Sequence, residues 1–177
     1  MPADRRYDVV DTPIGPLTLE AGEHGLSAVR FPGSEPTGNR DSAALTAARS
    51  QLEQYFAGER TAFDLPLRPA GAPFQLRVWE ALQRIPYGET ASYGEIAREL
   101  GHPTAARAVG AANGRNPIAI LIPCHRVVGT SGALTGYAGG VDAKGWLLAL
   151  ERGERSPAPS PGSTPRRTTG RRARQAA

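Results

Sequence analysis

Asn116-Pro117-Ile118-Ala119-Ile120-Leu121-Ile122-Pro123-Cys124-His125-Arg126-Val127-Val128-Gly129 decides the reading of this chain. An apolar run delivers a thiol and an imidazole side by side, and Cys124 is the only cysteine. A free cysteine titrates at about 8.5, so at neutral pH only a small fraction is thiolate unless a neighbour helps. An adjacent base supplies that help, and a thiolate is a strong nucleophile. A lone cysteine also serves as a small buried hydrophobe, so the pair alone leaves both readings open.

Upstream, residues 5–31 alternate as strands do. Tyr7-Asp8-Val9-Val10-Asp11, Leu17-Thr18-Leu19-Glu20 and Leu26-Ser27-Ala28-Val29-Arg30-Phe31 are separated by tight Gly- and Pro-containing turns, predicting an antiparallel meander. Residues 32–41 read as loop. Ser42 to Phe56 carries Leu45, Ala48, Leu52, Tyr55 and Phe56 at helical spacing, with Gly58 as the stop. Phe63 to Leu67 offers a further strand and Arg68 to Ala72 a linker. From Pro73 the texture turns helical: Phe74, Val78, Trp79, Leu82 and Ile85 share one face, and Pro86-Tyr87-Gly88 ends the segment. Ser92 opens a second helix with Ile96, Ala97 and Leu100. Gly101-His102-Pro103 breaks it, and Thr104 is placed to cap a third helix, Ala105 to Asn113. Two short helices joined by a tight turn fit a helix-turn-helix or a plain helical hairpin.

That third helix is made of small residues, Ala105, Ala106, Ala108, Gly110, Ala111 and Ala112, with Arg107 its only long side chain. Such a stripe permits close approach to another helix or to a narrow groove. Downstream of Cys124, Gly132-Ala133-Leu134-Thr135-Gly136-Tyr137-Ala138-Gly139-Gly140 is a glycine-rich loop. Val141 to Arg152 is a last helix with Trp146, Leu147 and Leu150 inward and Glu151 near its end. The fold class is therefore α+β: a small N-terminal domain with antiparallel sheet and helix (1–70), then a mainly helical C-terminal domain (73–152). Residues 153–177, rich in Pro, Ser, Thr and Arg, read as a disordered basic tail.

Composition narrows the function classes. The formal net charge of +4 arises in the tail, where six arginines face the single Glu154. The body carries 15 basic and 16 acidic residues, so the high net charge does not by itself make the folded part a nucleic-acid binder. One cysteine excludes an intramolecular disulfide and a Cys-rich zinc site, and His24, His102 and His125 have no paired spacing. We expect no metal and no cofactor. No apolar run approaches the roughly 20 residues of a membrane span, and a thiol meant to stay reduced fits the cytoplasm.

Read together, the stretch around Cys124 resembles the active-site signature of the O6-alkylguanine-DNA alkyltransferases, or methylated-DNA–protein-cysteine methyltransferases. The resemblance extends to Ile85-Pro86-Tyr87-Gly88-Glu89-Thr90-Ala91-Ser92-Tyr93, the Arg107 helix, Leu134 to Gly140, and Trp146-Leu147-Leu148-Ala149-Leu150-Glu151, with Thr12-Pro13-Ile14-Gly15-Pro16-Leu17 near the start. It covers essentially all of 73–152. It implies a ribonuclease H-like N-terminal domain and direct damage reversal: minor-groove binding, rotation of the damaged guanine out of the stack, and irreversible transfer of the alkyl group to Cys124. Extrahelical capture follows because a thiolate cannot reach a guanine O6 substituent inside a duplex.

The resemblance also implies roles. Cys124 is the acceptor, His125 the base acting through a water, and Glu151 the carboxylate that orients His125. Asn116 braces the turn around Cys124. Tyr93 assists base rotation and donates to guanine N3, and Lys144 supports that tyrosine. Tyr137 stacks on the guanine, the Ala138 N–H donates to O6, and the carbonyls of Cys124 and Val127 accept from the exocyclic amine. Arg107 fills the space left by the flipped base. Ala105, Ala106, Ala108, Gly110, Ser92 and Arg126 complete the expected DNA-binding set. The implied partner is double-stranded DNA with alkylated guanine, also methylated thymine, bound by a monomer without an obligate protein partner. Thr135 stands where some relatives have glycine, which predicts preference for methyl over bulky groups. Gly145 replaces a residue that is often charged in the family, at a helix cost of about 1 kcal/mol.

Three rivals remain. A non-catalytic lesion-binding relative would replace the cysteine. A Cys-His hydrolase gives no reason for the helix-turn-helix, and a plain repressor leaves thiol, imidazole and carboxylate unexplained.

Overall fold

The computed structural model describes residues 4–154; the basic tail from residue 155 on, and the disorder expected of it, lie outside the described residues. Strands β1 (Arg6–Val10), β2 (Leu17–Gly22) and β3 (Gly25–Arg30) form the antiparallel meander that their alternation predicts. Leu17, Leu19, Val10, Leu26 and Val29 are buried from these strands, together with Leu52, Tyr55 and Phe56 of α1 (Thr46–Phe56). No helix among the described residues is long and apolar enough to cross a membrane.

A fourth strand corrects the reading of 32–41 as loop. β4 (Asn39–Arg40) pairs in parallel with β1, giving the order β3-β2-β1-β4 and a mixed sheet. Two residues carry no periodicity, and charge explains what alternation cannot: the buried Asp8 carboxylate of β1 accepts from Arg40 at 3.2 Å and from Arg49 of α1 at 2.9 Å. A buried carboxylate requires such partners. The helix also begins later than Ser42, because Asp41 Oδ1 accepts from the Ala44 N–H at 3.0 Å and holds an Asx-type turn there. The strand expected over 63–67 reduces to one bridge, Leu26 with Leu67.

The helical half contains α2 (Pro73–Leu82), α3 (Tyr93–Glu99), α4 (Ala106–Gly114) and α5 (Val141–Glu151). Ser92 caps α3 in a capping box: its hydroxyl accepts from the Glu95 N–H at 3.2 Å while Glu95 Oε2 accepts from the Ser92 N–H at 2.6 Å. Thr104 does not cap α4. The preceding residue is Ala105, without a side-chain cap, and a backbone turn from Ala105 N–H to His102 O at 2.9 Å starts the helix. α3 and α4 pack against each other, and Trp79 of α2 donates through Nε1 to the carbonyl of Ala112 at 2.8 Å.

The two halves share one core, and the sheet positions the thiol. The edge strand β3 donates from Val29 N–H to Pro117 O at 2.9 Å and accepts at Val29 O from Ala119 N–H at 3.1 Å. The segment 117–122 is thereby held as it enters a 3₁₀ turn, Cys124–Arg126, followed by β6 (Val127–Val128). β6 runs parallel to β5 (Ala91–Ser92), which brings the start of α3 beside the thiol's own strand.

Candidate active site

The turn before Cys124 bends sharply. Ile120 has φ of 72°, a left-handed conformation that a β-branched residue adopts only under constraint. Asn116 is that constraint: its Nδ2 donates to Ile122 O at 2.8 Å and its Oδ1 accepts from Ile118 N–H at 3.0 Å, clamping both ends of the bend. Asn116→Ala is expected to cost about 2 kcal/mol, one for each clamp hydrogen bond. Urea denaturation checks it, and an unchanged midpoint would show the bend to be self-supporting.

Cys124 is 6% exposed and His125 fully buried. His125 Nε2 lies 2.7 Å from Glu151 Oε1. Burial opposes ionisation of Glu151, but hydrogen bonds from His125 and Arg126 and the arginine's charge outweigh it and hold the carboxyl down to about 2. An ionised carboxylate only accepts, so Nε2 carries the proton and Nδ1 is left with its lone pair. Nδ1 is buried without a protein hydrogen-bond partner, on the ring atom that a base must keep free. Burial pushes the imidazole down from its ordinary range, with Glu151 pulling it back in part. Burial also pushes the Cys124 thiol up, opposed by a hydrogen bond from Asn116 and the charge of Lys144. The resting site is thus a neutral thiol and a neutral imidazole beside a fixed carboxylate, the nucleophile–base–orienter arrangement of activated-nucleophile chemistry.

The carboxylate is crowded. Tyr55 donates to Oε1 at 2.7 Å, Arg126 donates to Oε2 through Nε at 2.8 Å and to Oε1 through Nη2 at 3.0 Å, and the Gly88 N–H reaches Oε2 at 3.3 Å. Gly88 has φ of 80°, and a Cβ there would sit 3.0 Å from the Glu151 carbonyl, so glycine is required at this approach. Arg126 corrects an expectation. It is 7% exposed, its Nη1 donates to Ile85 O at 2.7 Å, and its guanidinium lies 5.8 Å from the Tyr87 ring centroid. It is turned into the fold, toward the carboxylate.

Lys144 is fully buried. Burial lowers its pKa, with the neighbouring thiol pulling the other way. Its Nζ donates to the carbonyl of Thr135 at 3.3 Å, and Thr135 Oγ1 shares a 2.5 Å hydrogen bond with Tyr93 Oη. Lysine and tyrosine are therefore linked through Thr135. Tyr137 turns its hydroxyl inward, buried without a hydrogen-bond partner, and its ring meets Phe31 of the sheet edge-on at 5.5 Å. Ala138 is exposed, Val127 buried. On α4, Arg107 and Ala108 are exposed and Ala105, Ala106 and Gly110 half-buried, while the Tyr93 ring lies 3.7 Å from where a Cβ on Gly110 would stand.

Tyr55, Gly88 and Asn113 were not singled out by sequence. Asn113, in the last turn of α4, donates through Nδ2 to Cys124 O at 3.4 Å, tying that helix to the thiol's backbone. The signal available for each was only helical spacing or turn composition. Among the described residues, no group of three or more His, Cys, Asp or Glu could hold a metal ion.

Residues 5–69 match the ribonuclease-like domain of 6-O-methylguanine DNA methyltransferase, and residues 73–153 match its DNA binding domain. The methylated-DNA–protein-cysteine methyltransferase of Mycolicibacterium paratuberculosis is 56% identical over 151 residues, 82% of this chain and 92% of the relative. That of Methanosarcina acetivorans is 52% identical over 151 residues, 82% of this chain and 97% of the relative. The crystal structure of Mycobacterium tuberculosis OGT in complex with DNA superposes with a TM-score of 0.79 at 55% identity, covering 84% of this chain and 93% of that one. With both halves matched in order around one buried thiol, imidazole and carboxylate, the chain belongs to the 6-O-methylguanine DNA methyltransferase family.

Proposed function

We propose that this chain repairs DNA by taking the alkyl group of O6-alkylguanine onto Cys124, once per molecule. The observation that carries the reading is the buried array of Cys124, His125 and Glu151, with the free lone pair of Nδ1 on the base. The thiol proton passes to Nδ1 by way of a water, and the sulfur attacks the alkyl carbon. The S–C bond forms as the C–O bond breaks. The electron pair stays on the guanine, which Tyr93 stabilises by donating at N3, while Lys144 and Thr135 hold the tyrosine. The thioether that forms has no leaving group for water to displace, so the protein is consumed.

Because Cys124 is recessed, the guanine leaves the stack to reach it. Arg107 fills its place from the minor groove, and Ala105, Ala106, Ala108, Gly110 and Ser92 allow the close approach. Tyr137 stacks on the base, the Ala138 N–H meets O6, and the carbonyls of Cys124 and Val127 meet the amine. Thr135 narrows the pocket, favouring methyl groups; O4-methylthymine is a secondary substrate. Residues 1–70 and 73–152 act as two domains of a monomer in the cytoplasm, where the thiol stays reduced.

Titration with duplex oligonucleotide carrying O6-methylguanine, read by intact and peptide mass spectrometry, tests this. One methyl per protein on Cys124, saturating at equimolar lesion, is the expected result. Binding without a mass change would make the chain a lesion-recognition module instead.

A further inference from the structure

Tyr55 lies 96 residues from Glu151 in the sequence and in the other half of the molecule, yet the two side chains share a buried hydrogen bond of 2.7 Å. The oxygen it reaches, Oε1, also receives the His125 Nε2–H at 2.7 Å and Arg126 Nη2 at 3.0 Å, so three donors compete for the electron density of one atom. Ring contacts hold the phenol in place: Phe56 at 5.4 Å, Phe63 at 5.5 Å and Tyr87 at 6.2 Å between centroids. Packing alone would be served as well by phenylalanine. A fully buried hydroxyl is costly unless it has a partner, and here that partner is the carboxylate that orients the base.

We propose that Tyr55 is a positioning residue for the transfer, its hydroxyl fixing Glu151 Oε1 and limiting the pull of that oxygen on the Nε2 proton of His125, and so the basicity of Nδ1. The inference deepens the transferase reading and rests on it for its chemical purpose. The carboxylate and imidazole are faced by Arg126 from the 3₁₀ turn, Tyr55 from α1 and Tyr87 from the turn after α2. Cys124, Lys144 of α5 and Tyr137 of the glycine-rich loop complete the surroundings. Arg126 keeps the carboxylate ionised and is present whether or not the phenol is. Of these groups, only the phenol meets the oxygen that holds the imidazole without bringing a charge of its own. Its removal therefore leaves Oε1 a better acceptor for Nε2–H, stabilises the imidazolium, and raises the pH at which His125 titrates. A base held neutral to lower pH is the consequence of having the hydroxyl there.

The test uses the full chain with carbon-13 in its histidine rings. Exposed His24 and His102 serve as internal references for His125. In Tyr55→Phe the His125 midpoint is expected to rise by roughly one pH unit. With 3-fluorotyrosine at position 55, a stronger donor of nearly the same shape, it is expected to fall. Phe63→Leu disturbs the same packing without touching the hydroxyl and should leave the midpoint in place. Coincident midpoints in the wild type and both Tyr55 proteins, including an imidazole that stays neutral throughout, would overturn the proposal. So would an equal shift in Phe63→Leu. Methyl transfer from duplex DNA is followed on the same samples: shifted midpoints without any methyl on Cys124 would refute the transferase reading while leaving the Tyr55–His125 coupling intact.

Discussion

Glu151→Gln is expected to cost about 3–5 kcal/mol of stability, the loss seen when one partner of a buried ion pair is removed. The substitution keeps shape and deletes charge, so every consequence is electrostatic or a matter of hydrogen bonding. Oε2 accepts from Arg126 and Gly88; Oε1 accepts from Tyr55, His125 and Arg126. An amide has one acceptor and one donor end, so at least two donors lose their acceptor in either orientation. The Tyr55 hydroxyl can rotate to accept, and the imidazole can accept at Nε2 only by moving its proton to Nδ1. That tautomer occupies the lone pair the base needs. Transfer to Cys124 is therefore expected to slow by about 10²–10⁴-fold, the usual worth of a general base. Acid sensitivity changes as well. The Glu151 carboxyl titrates at about 2 in the fold, below its ordinary 4.5, so its contribution is present above about 4.5 and lost as pH falls toward 2. Burial also lowers His125, whose contribution is lost in the same direction, beginning nearer 6.5. Urea midpoints from pH 7 to pH 2 should fall steeply in the wild type and less steeply in the variant below pH 4.5. Parallel curves would remove Glu151 from the account.

How much of this was legible follows from how far apart the cooperating atoms lie along the chain. Cys124 and His125 are neighbours, and an apolar run leading into a thiol and a ring is visible to any reader of the sequence. The three strands and five helices follow from alternation and helical spacing, because burial of one face imposes those periods. Glu151 was marked by its oddity, a carboxylate at the end of an apolar helix. Tyr55 was invisible as a site residue because it occupies a core position of α1 at the same spacing as Leu52 and Phe56, and its hydroxyl acquires meaning only across the two halves. Arg126 was misplaced for a related reason: beside a DNA-repair thiol a basic residue suggests phosphate, and only the fold shows that its partner is Glu151. The burial of Lys144 beside Thr135 and Cys124 was not legible, since an isolated lysine is ordinarily solvated. β4 escaped because two residues have no period, and what places them is the ion pair between Arg40 and Asp8.

Arg126→Met has the second large effect, and its expected cost is likewise about 3–5 kcal/mol, because it leaves the Glu151 carboxylate buried without its counter-charge. Glu151 relieves part of that cost by taking up a proton, so its carboxyl titrates well above its present position, and a protonated acid no longer holds the Nε2 proton firmly. Ile85 O loses the donor it has in Nη1, at 2.7 Å. The informative protein is the double variant Glu151→Gln, Arg126→Met. Replacing both partners removes the unpaired buried charge that each single variant leaves behind, so the double is expected to be more stable than the sum of the single losses predicts, by about 2–3 kcal/mol of coupling. Transfer stays as slow as in Glu151→Gln. Urea denaturation of the four proteins, with methyl incorporation measured on each, separates the two quantities, and strict additivity of the stability losses would show that the arginine and the glutamate do not depend on each other. Slow transfer in Arg126→Met, measured where that protein is still folded, would place the worth of Arg126 in chemistry: it keeps Glu151 ionised, which keeps the imidazole proton on Nε2 and the lone pair of Nδ1 free for the thiol.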